Sequence, residues 1–246
     1  MRVRVDVKKE SYSFSLPEFF NERCREELKE YGFRCKSGVF YRATEDMFQS
    51  FHLHRSVSGT DCTVEFTVLP LCEGETVIKT RCGFYHIKEF EDDNSWFEHD
   101  KTAASEIECA EKMISYLKKY LMPFFEKSDS AEKAYKAVCE FQKEHSGYKG
   151  VFMADYSLYC MALKAKLYDK CMEHLIARKN HVLSAYSRNS ECSELSLEYK
   201  EKVQKEISEI DFAIEKLEKK DFEYFSHTVE QNETVARANL GIKRTV

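Results

Sequence analysis

Proline and glycine are scarce, three and eight in 246 residues. That excludes a loop-rich fold and argues for long regular elements joined by short connections. Tryptophan occurs once, as Trp96. No apolar run approaches the roughly 20 residues that a membrane-spanning helix needs. The opening Met1-Arg2-Val3-Arg4-Val5-Asp6 alternates charge with valine and reads as a short strand. It lacks the apolar centre of a signal peptide. Positive charge forms no stripe. Acids and bases are interspersed at a net charge of −5, and the basic tail Gly241-Ile242-Lys243-Arg244 is short, so no nucleic-acid footprint is expected. There is no Walker loop, no G-x-G-x-x-G, no G-x-S-x-G and no H-E-x-x-H. With no enzyme signature and no cofactor fingerprint, no cofactor is expected.

Paired cysteines are also missing. The ten cysteines are Cys24, Cys35, Cys62, Cys72, Cys82, Cys109, Cys139, Cys160, Cys171 and Cys192, and none forms a C-x-x-C pair. They are spread almost evenly along a chain large enough to be stabilised by its core. They read as reduced, small, core-type residues of a cytoplasmic protein.

What is present is a normal core. Hydrophobic residues make up 43% of the chain and aromatics 13%, enough for one large domain or two modest ones. A first helix is predicted from Ser15, with Pro17 and Glu18 in its first turn. Phe20, Cys24, Leu28 and Tyr31 recur at helical spacing, and Gly32 ends the run. Four strands are predicted next. They are Arg34 to Arg42 (with an irregularity at Lys36-Ser37-Gly38), Met47 to Arg55, Cys62 to Leu71, and Thr76 to Cys82. In the third, Val64, Phe66 and Val68 alternate with Thr63, Glu65 and Thr67, the pattern of a half-buried strand. Short polar turns between successive strands make the sheet an antiparallel meander. His86 to Asp100 is read as a polar connection. The helix that follows carries Ile107, Ala110, Ile114, Leu117 and Leu121 on one stripe and closes near Pro123.

Beyond Ser128 the pattern is helical throughout. One helix is capped by Ser128-Asp129-Ser130 and broken at His145-Ser146-Gly147. A helical region from Ala154 follows, open between one helix and a hairpin, with a break at Asn189-Ser190. Its stretch Ala162 to Cys171 faintly resembles a tetratricopeptide turn, but no second copy occurs. The last helix starts near Ser196, and Val203, Ile207, Ile210, Ile214 and Leu217 form a heptad seam that is lost at Asp221. The fold class is therefore α+β: a four-stranded antiparallel meander packed with helices over residues 1–127, then an all-helical half over 128–246. No flexible linker separates the halves, so they are expected to pack together.

The string Leu28-x-x-x-Gly32-Phe33, then Gly38-x-Phe40-x-Arg42 and the strand Phe48 to His54, resembles a bacterial family known as domain of unknown function 4304. Arg81-x-Gly83, Ser95-Trp96-Phe97 and the helix end Leu121-x-Pro123-Phe124-Phe125-Glu126 fit the same pattern. The resemblance runs from about Phe19 to Val138 and omits the remaining C-terminal helices. Typical members carry two tryptophans where this chain has Trp96-Phe97, and an apolar residue with glutamine where it has Phe51-His52. The resemblance implies helices packed on an antiparallel sheet and no particular activity.

Among polar side chains, His52-x-His54 is the sharpest local feature, because residues two apart on a strand share a face. Glu65 and Thr67 would line that face if it is open. A metal or an acidic ligand fits such a pair, yet no further Cys or His lies at ligand spacing, so no metal site is assigned. Arg81 could hold a carboxylate or phosphate, or serve an internal ion pair with Glu65. Trp96 either lines a groove or anchors its connection to the sheet. His174 and His181, seven apart, read as solvated positions on one helix face. His52, His54, Glu65, Arg81 and Trp96 are thus the candidate ligand-binding residues. The expected role is a non-enzymatic binding or regulatory module acting through protein contacts, with a partner or a second copy at the helical half. An immunity-like role is one concrete form of it. The alternative is a small-molecule or metal-binding enzyme using the polar sheet face.

Overall fold

The computed structural model describes residues 14–74, 82–92, 94–144, 155–192 and 196–241. The predicted N-terminal strand and the break at His145-Ser146-Gly147 lie outside these residues, as does Arg81 with most of the strand Thr76 to Cys82.

Helix α1 (Leu16–Glu27) starts where Ser15 leaves extended backbone and Pro17 occupies the first turn. Its inner side buries Leu16, Phe20 and Cys24. A single 3-10 turn, Lys29–Tyr31, follows, and Gly32 ends it in the left-handed conformation (φ 74°). The predicted first strand is two strands, β1 (Arg34–Lys36) and β2 (Val39–Ala43). The irregularity at Lys36-Ser37-Gly38 is a tight hairpin. Ser37 and Gly38 both have positive φ (51° and 79°), which a two-residue turn of this handedness requires. Strands β3 (Met47–Arg55), β4 (Asp61–Pro70) and β5 (Phe97–Glu98) complete a five-stranded antiparallel sheet in the order β1-β2-β3-β4-β5. β5 comes from the stretch read as a polar connection, and pairs Glu98 with Asp61 and Phe97 with Cys62. Of the expected Thr76 to Cys82 strand, Cys82 bridges Phe66.

The register assigns each side chain to a face. Phe40, Met47, Phe51, Cys62, Val64, Phe66 and Val68 share the first face and are all buried. Against it pack α1 and the helical run α2 (Ala103–Tyr116) and α3 (Met122–Lys127). Rings of Phe124 and Phe125 meet Phe66 edge-on, at 5.4 and 6.0 Å between centroids. α2 and α3 are joined by a π turn over Leu117–Leu121. Pro123 thus does not close the helix as expected. It has no N–H for the carbonyl four residues back, and its ring displaces that carbonyl. The wider turn absorbs both defects, and the helix continues to Lys127.

The second face is covered at both ends, which corrects the half-buried reading of β4. Thr63 and Thr67 are only 5% and 3% exposed. At one end Phe48, Leu71 and Ala236 form a small apolar cluster that Tyr41, Ala43 and Leu240 flank. At the other, Thr63 Oγ1 donates to the Ser95 carbonyl at 2.6 Å.

The helical half comprises α4 (Ala131–Glu144), α5 (Asp155–Lys164), α6 (Tyr168–Cys192), α7 (Leu197–Glu218) and α8 (Phe222–Leu240). Residues 155–192 are thus two helices, with Lys166 left-handed (φ 58°) between them. α6 passes through Asn189-Ser190, where a break is expected. Asn189 Nδ2 donates to the Tyr199 hydroxyl, outside the helix, and Ser190 Oγ shares the Ser187 carbonyl one turn back, which the helix accommodates without breaking. The seam of α7 ends where Lys220 turns left-handed (φ 54°) and Asp221 caps α8 by accepting from the Tyr224 amide.

Val203, Ile210 and Leu217 of that seam are buried within the protein, and α7 packs against α6 and α8. One continuous core runs from Leu16 and Phe51 to Ile210, Leu217 and Phe225. Polar contacts join the halves as well. Lys164 Nζ lies 3.3 Å from Asp46 Oδ1 and 2.6 Å from Glu233 Oε1. Arg237 donates to the Thr44 and Glu45 carbonyls, and Asn232 Nδ2 to the Cys72 carbonyl at 2.9 Å. Among the described residues no helix is long and apolar enough to cross a membrane.

Candidate functional site

Antiparallel pairing of β3 and β4 sets His52 opposite Glu65 and His54 opposite Thr63. The period of two then places His52, His54 and Glu65 together on the second face, between its two covered ends. His52 Nε2 lies 3.3 Å from Glu65 Oε2, and His54 Nδ1 lies 3.6 Å from Glu65 Oε1. One donor atom from each residue can be chosen so that all three fall within 4.8 Å of one another. Their side chains retain 23%, 34% and 17% of their exposure, so solvent reaches the cluster.

Trp96 closes one side. Its backbone N–H donates to Asn94 Oδ1, and its ring stands edge-on to His54 at 5.6 Å. It is 38% exposed, so it is both the anchor of its connection and a wall of the cluster. Its neighbour Phe97 points the other way and is buried in the first-face core, 5.4 Å from the Tyr116 ring. The structure therefore brings together four of the five candidate residues, His52, His54, Glu65 and Trp96, whereas Arg81 lies outside the described residues. Thr67 is on the same face but covered.

The arrangement offers two imidazoles and a carboxylate on paired strands, with an aromatic ring beside them. It sets donors suited to a metal ion or a polar ligand side by side on a fixed backbone. His174 lies elsewhere and corrects the solvated reading, since its Nε2 is 3.0 Å from the Tyr135 hydroxyl. His181 is exposed.

Two further groups have no signature in the sequence. His99 is 6% exposed, with Nδ1 3.6 Å from Glu106 Oε1. Cys62 and Cys109 face each other across β4 and α2 with sulfurs 3.1 Å apart. The bond to Cys109 first, and burial second, raise the Cys62 thiol far above its ordinary value. Neither group could be found by motif, because strand-to-helix packing creates both.

Comparison with known proteins bears on the half that carries the cluster. Residues 24–127 match the family described as Domain of unknown function (DUF4304). The helical half has no family match. No curated protein and no solved structure matches the chain. The DUF4304 segment contains the whole sheet and all four clustered residues, so the site belongs to the part of the chain that recurs in other proteins.

Proposed function

We propose that this chain is a non-enzymatic binding module whose working surface is the second face of the sheet. The observation that carries it is the convergence of His52, His54 and Glu65 beside the ring of Trp96. Rigid paired strands preset these groups, and preorganised polar groups beside an aromatic wall favour capture of a small polar ligand. The setting proposed with it is a bacterial cytoplasm. All nine described cysteines whose side chains are placed are free thiols, which suits a reducing compartment.

Trp96, the sole tryptophan, makes the surface directly testable. Small carboxylates, phosphates and divalent metal ions are titrated into the full chain while its emission and the histidine ring NMR signals are followed. At least one class should shift Trp96 and the His52 and His54 rings together. Silence of all three across the panel would end the proposal.

A second reading places a protein contact on the helical half, as expected from the sequence, but not through the heptad seam, which is used internally. Ile176 and Leu183, one helical face apart by seven residues, and Phe212 are exposed on the α6–α7 hairpin. Light scattering decides between a second copy and a monomer.

A further inference from the structure

We propose that His52, His54 and Glu65 form a mononuclear site for a divalent transition-metal ion of the zinc class. The inference rests on the reading of the second sheet face as a ligand surface, and it names the ligand. Three observations carry it. The first is the donor set. Two imidazole nitrogens and one carboxylate oxygen suit zinc, cobalt, nickel or copper ions, whereas calcium and magnesium favour all-oxygen shells.

The second is the spacing. Four ligands around zinc at about 2.0–2.1 Å stand about 3.3 Å apart along the edges of a tetrahedron. His52 Nε2 lies 3.3 Å from Glu65 Oε2, and His54 Nδ1 lies 3.6 Å from Oε1, the other oxygen of the same carboxylate, so the carboxylate sits between the two imidazoles. The three donors lie within 4.8 Å of one another, so small side-chain rotations bring all of them to one ion. The third is the frame. β3 and β4 pair continuously from Met47↔Pro70 to Arg55↔Cys62, so the histidines and the glutamate leave a backbone fixed by its neighbours on both sides.

Each neutral imidazole has one N–H donor and one lone-pair nitrogen, so the same placement serves a hydrogen bond to the carboxylate without a metal and ligation through the lone pair with one. Three protein ligands leave a fourth position for water or a small anion. Trp96 flanks that position, and the partial exposure of His54 keeps it reachable. A three-ligand site of this kind is open, unlike a closed structural site with four protein ligands.

The test uses the full-length chain stripped with a chelator and titrated with cobalt(II) at neutral pH. The site should take up one equivalent, give the visible absorption of low-coordinate cobalt with nitrogen and oxygen ligands, and quench Trp96 emission at the same equivalence point. Zinc should displace the cobalt and restore the emission. His52→Ala and His54→Ala should each weaken binding by about 10-fold or more. Glu65→Gln, which keeps the side-chain volume, should weaken it in the same direction with an unchanged circular dichroism spectrum. Cobalt uptake that survives in the double histidine variant, or that leaves Trp96 emission untouched, overturns the inference. If cobalt fails while carboxylates or phosphates still shift Trp96 in the presence of chelator, the metal is wrong and the binding face stands. If those also fail, both fall.

Discussion

Arg42 and Gln49 show how a polar residue can sit inside this sheet. Gln49 is fully buried, yet its amide donates to the Phe125 and Ser128 carbonyls at 2.6 and 3.0 Å. Those carbonyls are among the last of α3, which a helix leaves without internal partners. A strand residue thus caps a helix end from the side. Its own Oε1 accepts from Arg42 Nε at 2.8 Å, and Arg42 in turn donates to the Tyr31 carbonyl and lies 4.7 Å over the Phe33 ring. Gly32-Phe33, Arg42 and Phe125 are residues of the family pattern, and here they meet in one packed assembly on the first face. Here they serve packing, and the proposed ligand surface lies on the other side of the sheet. Gln49→Leu should remove the cap and strand a buried guanidinium N–H, costing about 3 kcal/mol in urea unfolding. A loss below about 0.5 kcal/mol would mean that water replaces the amide.

Elements were legible where one rule governed them. β3, bounded by polar turns, and α7, with its heptad, lie where the sequence predicts them. In sequence the hairpin at Ser37-Gly38 is indistinguishable from an irregular strand, because only φ separates the two. Helix α3 was cut at Pro123 because a proline reads as a stop, whereas a π turn lets the chain keep its burial of Phe124 and Phe125. The site was half legible. His52-x-His54 is visible in any strand and the alternation of β4 puts Glu65 on a polar face, but only the β3–β4 register sets Glu65 directly opposite His52. At the α7–α8 corner the loss of the heptad seam at Asp221 has a physical counterpart. Lys216 Nζ bonds Asp221 Oδ2 at 2.6 Å, and Asp221 Oδ1 caps Tyr224. The lysine first, and the backbone amide second, hold the Asp221 carboxyl below its usual range. A carboxylate whose folded pKa is depressed adds stability above its unfolded value near 3.9, and that stability is lost as pH falls through the folded pKa. Asp221→Asn keeps an acceptor and removes the charge. Its melting temperature should lie below that of the parent at pH 6 and approach it well below pH 4. A gap that stays constant with pH would assign the corner to capping alone.

At the scale of the molecule, the two halves share one apolar core and several polar contacts. The turn Thr44-Glu45-Asp46 between β2 and β3 carries two carbonyls for Arg237 and a carboxylate for Lys164. Glu73, buried just after β4, accepts from the hydroxyl of Ser157 on α5 at 2.8 Å. Lys164 is the hub, since its one ammonium pairs with both Asp46 of the sheet half and Glu233 of α8. The side chain of Glu233 is only 8% exposed and lies against that lysine. Removing one partner of a buried pair strands the other, and typically costs about 3–5 kcal/mol. Lys164→Met keeps the length and apolar stem of the side chain while deleting the charge. The variant should lose about 3 kcal/mol and still unfold in one calorimetric transition, because a shared core melts as one unit. A sheet transition left unmoved while a separate helical transition drops would show two independent domains joined only by contact. A double variant, Lys164→Met with Glu233→Gln, should recover part of the loss, since the stranded charge is then gone. Absence of that recovery would place the cost in packing of the lysine stem, and the halves would then be held by their apolar core with no help from this ion pair.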